Sequence, residues 1–245
     1  MRLSPNDDQQ EILILECGKL QPGHKTHCMS AGDVASAAEN LARIDPTLTP
    51  IYRLHGPPPL WQRPATFATL VRIVLEQQVS LAAAKSTFAK LGTACGGRVT
   101  AKSIDALPPE AMSAAGVSRQ KLRYIRELAA AIIARRFSVS RLKELDDDSV
   151  RLSITAMVGF GNWSADIYLM MALMRPDVLP TGDLGLIKGI VEADVDAGFD
   201  EPLITPADLI RRANRWSPYR SVATRMIWQH YLARRGKDIH AIANG

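Results

Sequence analysis

The stretch from Ser149 to Ile190 constrains the chain most: SVRLSITAMVGFGNWSADIYLMMALMRPDVLPTGDLGLIKGI. Apolar residues recur at helical spacing on both sides of Gly159-Phe160-Gly161. Before it, Leu152, Ile154, Ala156 and Met157 mark one stripe; after it, Trp163, Ile167, Met170, Met171 and Met174 mark another. These flanks are too long for a β-hairpin and have the wrong period. The feature is a corner between helices, turned by glycines that accept positive φ and leave backbone N–H groups uncovered. The second helix presents its own free N–H groups beside that corner, and together they suit a phosphate oxygen. A purely structural corner explains Gly-x-Gly by itself just as well. Asp183 stands immediately before another helical segment, where an aspartate serves as a cap whatever else it does.

Composition decides only broad classes. A chain of 245 residues can form one large domain or two smaller ones with real cores. No apolar run reaches the length that spans a bilayer, and the polar start MRLSPNDDQQ has no signal-peptide core, so no membrane association is expected. Cys17, Cys28 and Cys95 are too few, and odd in number, for a disulfide framework. A cytoplasmic protein is expected. The net charge of +5 permits a polyanionic partner without demanding one.

Taken in order, residues 1–32 read as an irregular extension. Cys17, His24, His27 and Cys28 cluster there, but their spacing fits no standard zinc finger. Residues 33–44 form a helix with Asp33 as its cap, ended by Asp45-Pro46. Pro57, Pro58, Pro59 and Pro64 make the segment from His55 to Pro64 a loop. Thr66 caps a helix whose stripe is Phe67, Leu70, Val71 and Val74; Glu76 to Val79 interrupt it, and Ser80 caps the next. Short helices follow at 102–107 and 109–115. From Arg119 to Arg136 runs a long amphipathic helix with Leu122, Ile125, Ala129, Ile132 and Ile133 inward, and Lys121, Arg123 and Arg126 on a basic face that is either solvated or aimed at a polyanion such as a nucleic acid. Asp146 to Asp148 open the helix before the corner, where acidic residues complement the dipole. Thr205 caps a helix to Ala213, and Pro218 fits the first turn of a last one. No β-strand series is found.

Three features together resemble one family. These are the Gly159-Phe160-Gly161 corner with Trp163 and Asp183; the text LVRIVLEQQVSLAAA at residues 70–84; and Trp216-Ser217-Pro218-Tyr219-Arg220-Ser221-Val222-Ala223 leading into Trp228. The chain is similar, over residues 45–235, to the helix-hairpin-helix DNA glycosylases, and within them to the 3-methyladenine DNA glycosylase II branch of alkylation repair. The resemblance implies an all-α fold of two helical lobes with a cleft between them. Residues 79–175 would form a six-helix barrel lobe with the hairpin, and residues 33–78 with 176–245 a lobe carrying the catalytic Asp183.

The resemblance also implies roles. Asp183 would stabilise the oxocarbenium ion left as the glycosidic bond breaks. Trp163 and Trp228 would line the base pocket, together with Ile167, where some members have an aromatic residue. Gln78 would wedge into the stack vacated by the flipped base. Gly159 and Gly161 would hold a DNA phosphate through their N–H groups. The carbonyls of Thr155, Met157 and Phe160 would hold a monovalent cation, sodium or potassium. Val158 stands where the family often has proline. Trp163 occupies the place of the nucleophilic lysine of lyase-active relatives, so base release without strand cleavage is expected. No cysteine follows Cys95, so no iron–sulfur cluster is expected. The implied protein is a monomer in the cytoplasm, on nucleoid DNA, excising 3-methyladenine and 7-methylguanine from double strands. Two other readings remain: a non-catalytic DNA-binding module, and a lyase-active glycosylase for oxidised bases.

Overall fold

The computed structural model describes residues 28–200, 205–237 and 239. Among the described residues every regular element is a helix, and no helix is long and apolar enough to cross a membrane. The α-helices are α1 (Ala31–Ile44), α2 (Leu48–His55), α3 (Phe67–Glu76), α4 (Leu81–Ala94), α5 (Ala101–Ala106), α6 (Pro109–Ala114), α7 (Arg119–Ile133), α8 (Asp147–Thr155), α9 (Asn162–Met171), α10 (Leu184–Asp196), α11 (Pro206–Ala213) and α12 (Arg220–Ala233). Short 3-10 turns cover Val139–Glu144 and Asn214–Trp216.

The helices gather into two compact units. One is Ala65–Gly161; the other combines His27–Pro64 with Asn162–Gly245. The sequence places these divisions after Gln78 and Arg175. Physical ties account for the positions found. Helix α3 is apolar on most of its circumference, buries Phe67, Leu70, Val71, Ile73, Val74 and Leu75, and packs on α4 and α7. Helix α9 buries Ser164 through Met171 and is held within the second unit through carbonyls at its end: Met170 O accepts from Arg225, and Met171 O accepts from the Arg63 N–H at 2.7 Å.

In the first unit α5 and α6 pack on α7. The stripe of α7 is Ile125, Leu128, Ala129 and Ala131; Ile133 is 46% exposed, being two turns on and at the helix end. In α8, Val150 and Ile154 face inward, while Leu152 is 57% exposed. Two residues are about 200° of helix, so Leu152 and Ile154 cannot share a face.

In the second unit α12 is buried against α1, α2 and α10. The α10–α12 approach is close because Gly189 has no side chain: a Cβ there would lie 2.8 Å from Ile227 Cγ2. The core joins Leu41, Leu48, Ile51, Ile190, Leu209, Trp216, Met226 and their neighbours.

Helix ends fall within about three residues of those the sequence implies, and three helix starts differ in detail. Ser30 caps α1, and Asp33 is its capping-box partner rather than the cap. Thr66 occupies the cap position of α3 but makes no side-chain cap bond. Pro218 lies ahead of α12, which begins at Arg220. Ser80 and Thr205 cap as expected, accepting from the N–H groups of Ala83 and Asp208, both at 3.2 Å. Asp146 caps α8 by accepting from Ser149 N at 2.8 Å.

Candidate active site and hairpin

Asp183 is the N-cap of α10, and its Oδ1 accepts from the Leu186 N–H at 2.7 Å. That much any capping aspartate does. Two further donors set it apart. The Trp228 indole N–H donates to Oδ1 at 3.0 Å, and the Trp163 indole N–H donates to Oδ2 at 2.8 Å. A carboxylate has about four acceptor sites, so three donors fix its plane and leave acceptor capacity on Oδ2. Helix α9 supplies Trp163 from its first turn, α12 supplies Trp228, and both side chains are half-buried. Gly185 makes room: a Cβ there would press on Asp183 Oδ1 at 3.1 Å and meet the Trp228 ring at 3.8 Å. The structure thus brings together three of the residues singled out in the sequence. Ile167 follows Trp163 by one turn and is 3% exposed.

Two supports of this site were not evident in the sequence. Trp61, in the proline-rich loop, sits 6.3 Å from Trp228, ring to ring, tilted by 45°. Its φ of +47° is unfavourable for a bulky residue, and it persists because the surroundings over-determine it. The ring is 2% exposed and its indole N–H donates to Ile239 O at 2.8 Å. Arg225 is the second support. It is fully buried, and burial pushes its pKa down to about 10. It donates to Leu60 O at 3.0 Å, Met170 O at 2.6 Å and Ser221 O at 3.4 Å. One guanidinium therefore ties the loop bearing Trp61, the end of the Trp163 helix and the Trp228 helix. An arginine in an apolar helix gives no sequence cue to such a role.

The other unit carries the hairpin and the turn after α3. Gly159 has φ +87°, and a Cβ there would fall 2.1 Å from the Tyr124 ring, so only glycine fits. Gly161 is exposed, with nothing within 4 Å of where a Cβ would be. Phe160 is 6% exposed and its N–H donates to Met157 O at 3.1 Å. Thr155 ends α8, where carbonyls lack helical partners and the dipole favours a cation. Gln78 is exposed in the turn and has φ +56°.

The basic face of α7 is not a free patch. Lys121 Nζ donates to Leu75 O and Gln77 O at 2.8 and 2.9 Å, and Arg126 donates to Leu107 O. Burial lowers the Lys121 pKa from the ordinary lysine value. Among the described residues no group of three or more His, Cys, Asp or Glu is placed to hold a metal. Cys28 is exposed; Cys17, His24 and His27 lie outside the described residues.

Among the described residues every regular element is thus a helix, and the Gly159–Gly161 corner precedes a helix-capping Asp183 that accepts from two indoles. Residues 71–213 fit the model of the HhH-GPD superfamily base excision DNA repair proteins, and the chain belongs to that superfamily. It is similar to the DNA-3-methyladenine glycosylase of Saccharomyces cerevisiae, 25% identical over 79% of this chain and 78% of the relative. It is also similar to the alkylbase DNA glycosidase-like protein mag2 of Schizosaccharomyces pombe, 25% identical over 80% of this chain and 93% of that one. The crystal structure of a DNA-3-methyladenine glycosidase from Bacillus halodurans superposes with a TM-score of 0.67 at 27% identity, over 83% of this chain and 92% of that one.

Proposed function

We propose that the protein is a monofunctional DNA glycosylase that excises bases alkylated at a ring nitrogen, such as 3-methyladenine and 7-methylguanine, from double-stranded DNA. The observation that carries this reading is the Asp183 carboxylate held by the indole N–H groups of Trp163 and Trp228. A fixed anion with aromatic neighbours suits a reaction in which one positive charge sits first on the base and then on the sugar. Alkylation at a ring nitrogen leaves the base positively charged. When the glycosidic bond breaks, its electron pair goes to the base nitrogen and cancels that charge, so no general acid is needed. The positive charge passes to the sugar. Asp183 stabilises it, water adds at C1′, and the water proton leaves to solvent. Trp163, Trp228 and Ile167 line the base pocket, and stacking with cation–π attraction contributes about 0.5–2 kcal/mol per aromatic ring. With an indole at position 163, the site offers no amine for a Schiff base.

Single-turnover incubation with methylated duplex DNA tests this reading. Free alkylated base should appear in solution, and the DNA should keep intact abasic sites that break only after hot alkali. No base release at excess enzyme would overturn the reading; a borohydride-trapped covalent adduct would overturn its monofunctional part.

In the same reading Gly159 and Gly161 hold a phosphate through their N–H groups, and Gln78 fills the gap left by the flipped base. The carbonyls of Thr155, Met157 and Phe160 would hold a sodium or potassium ion. A donor set of carbonyls alone, with no thiolate or imidazole, suits such a hard cation. Gly161→Asp is a clean probe because the added atoms meet open space. It should lower affinity for DNA of any sequence by about tenfold at low salt, through repulsion of the phosphate. Unchanged binding by the folded variant, measured by fluorescence anisotropy, would reduce the hairpin to a structural corner.

A further inference from the structure

The turn after α3 is held more firmly than an exposed turn needs. Its carbonyls at Leu75 and Gln77, left without helical partners at the end of α3, converge on Lys121 Nζ at 2.8 and 2.9 Å. A cation there also faces the negative end of the α3 dipole. The Gln77 side-chain amide donates to Gly159 O in the hairpin at 2.9 Å. Gly159 is in turn sealed by the ring of Tyr124, which leaves no space for a Cβ. Lys121 and Tyr124 are three residues apart and therefore neighbours on one face of α7. One helix thus grips the turn with one side chain and backs the hairpin with the next, while Gln77 joins turn to hairpin directly. Between these anchors Gln78 keeps φ +56°, a costly conformation for a non-glycine residue that survives only where its surroundings impose it.

We propose that Lys121, Gln77 and Tyr124 form a brace that sets the position of Gln78 relative to the phosphate-binding hairpin, and that they act in base flipping as positioning residues. The proposal rests on the glycosylase reading above. A wedge helps only if it enters the stack beside the nucleotide whose phosphate the hairpin holds. A loose turn would still allow DNA to bind and would leave the chemistry of an already extruded base intact. The cost of losing the brace falls on bases that are hard to extrude.

The test compares single-turnover excision of one alkylated base in a normal pair and in a mismatch. Lys121→Met should slow release from the paired base by roughly tenfold and from the mispaired base by less than about threefold. Lys121→Arg, which keeps donors for both carbonyls, should restore most of the rate. Adding Gln78→Ala to Lys121→Met should cost nothing more, because the brace acts through that side chain. Gln77→Leu carries the same comparison should Lys121→Met not fold. Equal losses on both substrates, or losses that multiply with Gln78→Ala, overturn the brace alone. Wild-type protein that releases neither base rejects the glycosylase reading and the brace with it.

Discussion

Asp183→Asn should cut single-turnover release of 3-methyladenine by roughly a hundred- to a thousand-fold, the usual cost of removing one preorganised electrostatic group. DNA containing an uncharged abasic analogue should still bind. A cationic sugar analogue should bind less tightly, because the charge pairing is gone. From the sequence alone Asn looks almost harmless to stability, since it caps helices as well as Asp does. The structure changes that expectation. Asp183 accepts from Leu186 N and Trp228 through Oδ1, and from Trp163 through Oδ2. An amide has one oxygen, so its NH2 must face an indole N–H in either orientation, and about 1–3 kcal/mol of stability should be lost. Denaturant titration separates this from the rate effect, which must persist where the variant is fully folded. Excision at the wild-type rate would remove Asp183 from the mechanism.

The largest stability effect is expected at a site remote in sequence from the chemistry. Asp45 is fully buried and accepts from Arg212 (2.9 and 3.2 Å), the Trp216 indole (2.7 Å) and Thr47 N (3.0 Å). Arg212 also donates to Asp194 at 2.6 Å, and Asp194 accepts from the Thr47 hydroxyl at 2.6 Å. Asp45→Ala leaves a buried indole N–H unpaired and a mostly buried guanidinium short of one counter-ion. It should cost about 3–5 kcal/mol at neutral pH. The pH dependence follows from the direction of the Asp45 shift. Burial pushes its pKa up, but the bonds and charge of Arg212 and the Trp216 bond outweigh it, so the folded-state value is below normal. Its contribution is then complete above the unfolded-state value of about 3.9 and is lost as pH falls through the folded-state value. The gap between wild type and variant, read from urea midpoints, should hold steady from pH 7 to about pH 5 and narrow below about pH 4. A gap under about 1 kcal/mol at pH 7 would show the network to be dispensable.

These two sites separate what can be read from the chain and what cannot. Helix positions, the Gly159–Gly161 corner and the caps at Ser80 and Thr205 follow from residues within one helical turn of each other, and are legible as text. The faces of α7 and α8 were read less well. Ile133 and Leu152 are apolar, and only the packing around a helix decides which apolar residues go inward. Asp183 was visible as a cap, and the resemblance pointed to Trp163 and Trp228. That these three share one carboxylate was not visible, because their separations of 20 and 45 residues have no local signature. The same holds for Trp216 with Asp45, 171 residues apart, and for Gln77 with Gly159, 82 apart. As text, Lys121 is one cation on a face that is either solvated or aimed at DNA; in the fold it donates to the carbonyls of Leu75 and Gln77. The helices, the glycine corner and the caps at Ser80 and Thr205 are written in the residues alone, because they depend on backbone geometry and nearest neighbours. Only the tertiary structure decided which donors meet which acceptors, because burial makes an unpaired polar group costly and so selects its partners from across the fold.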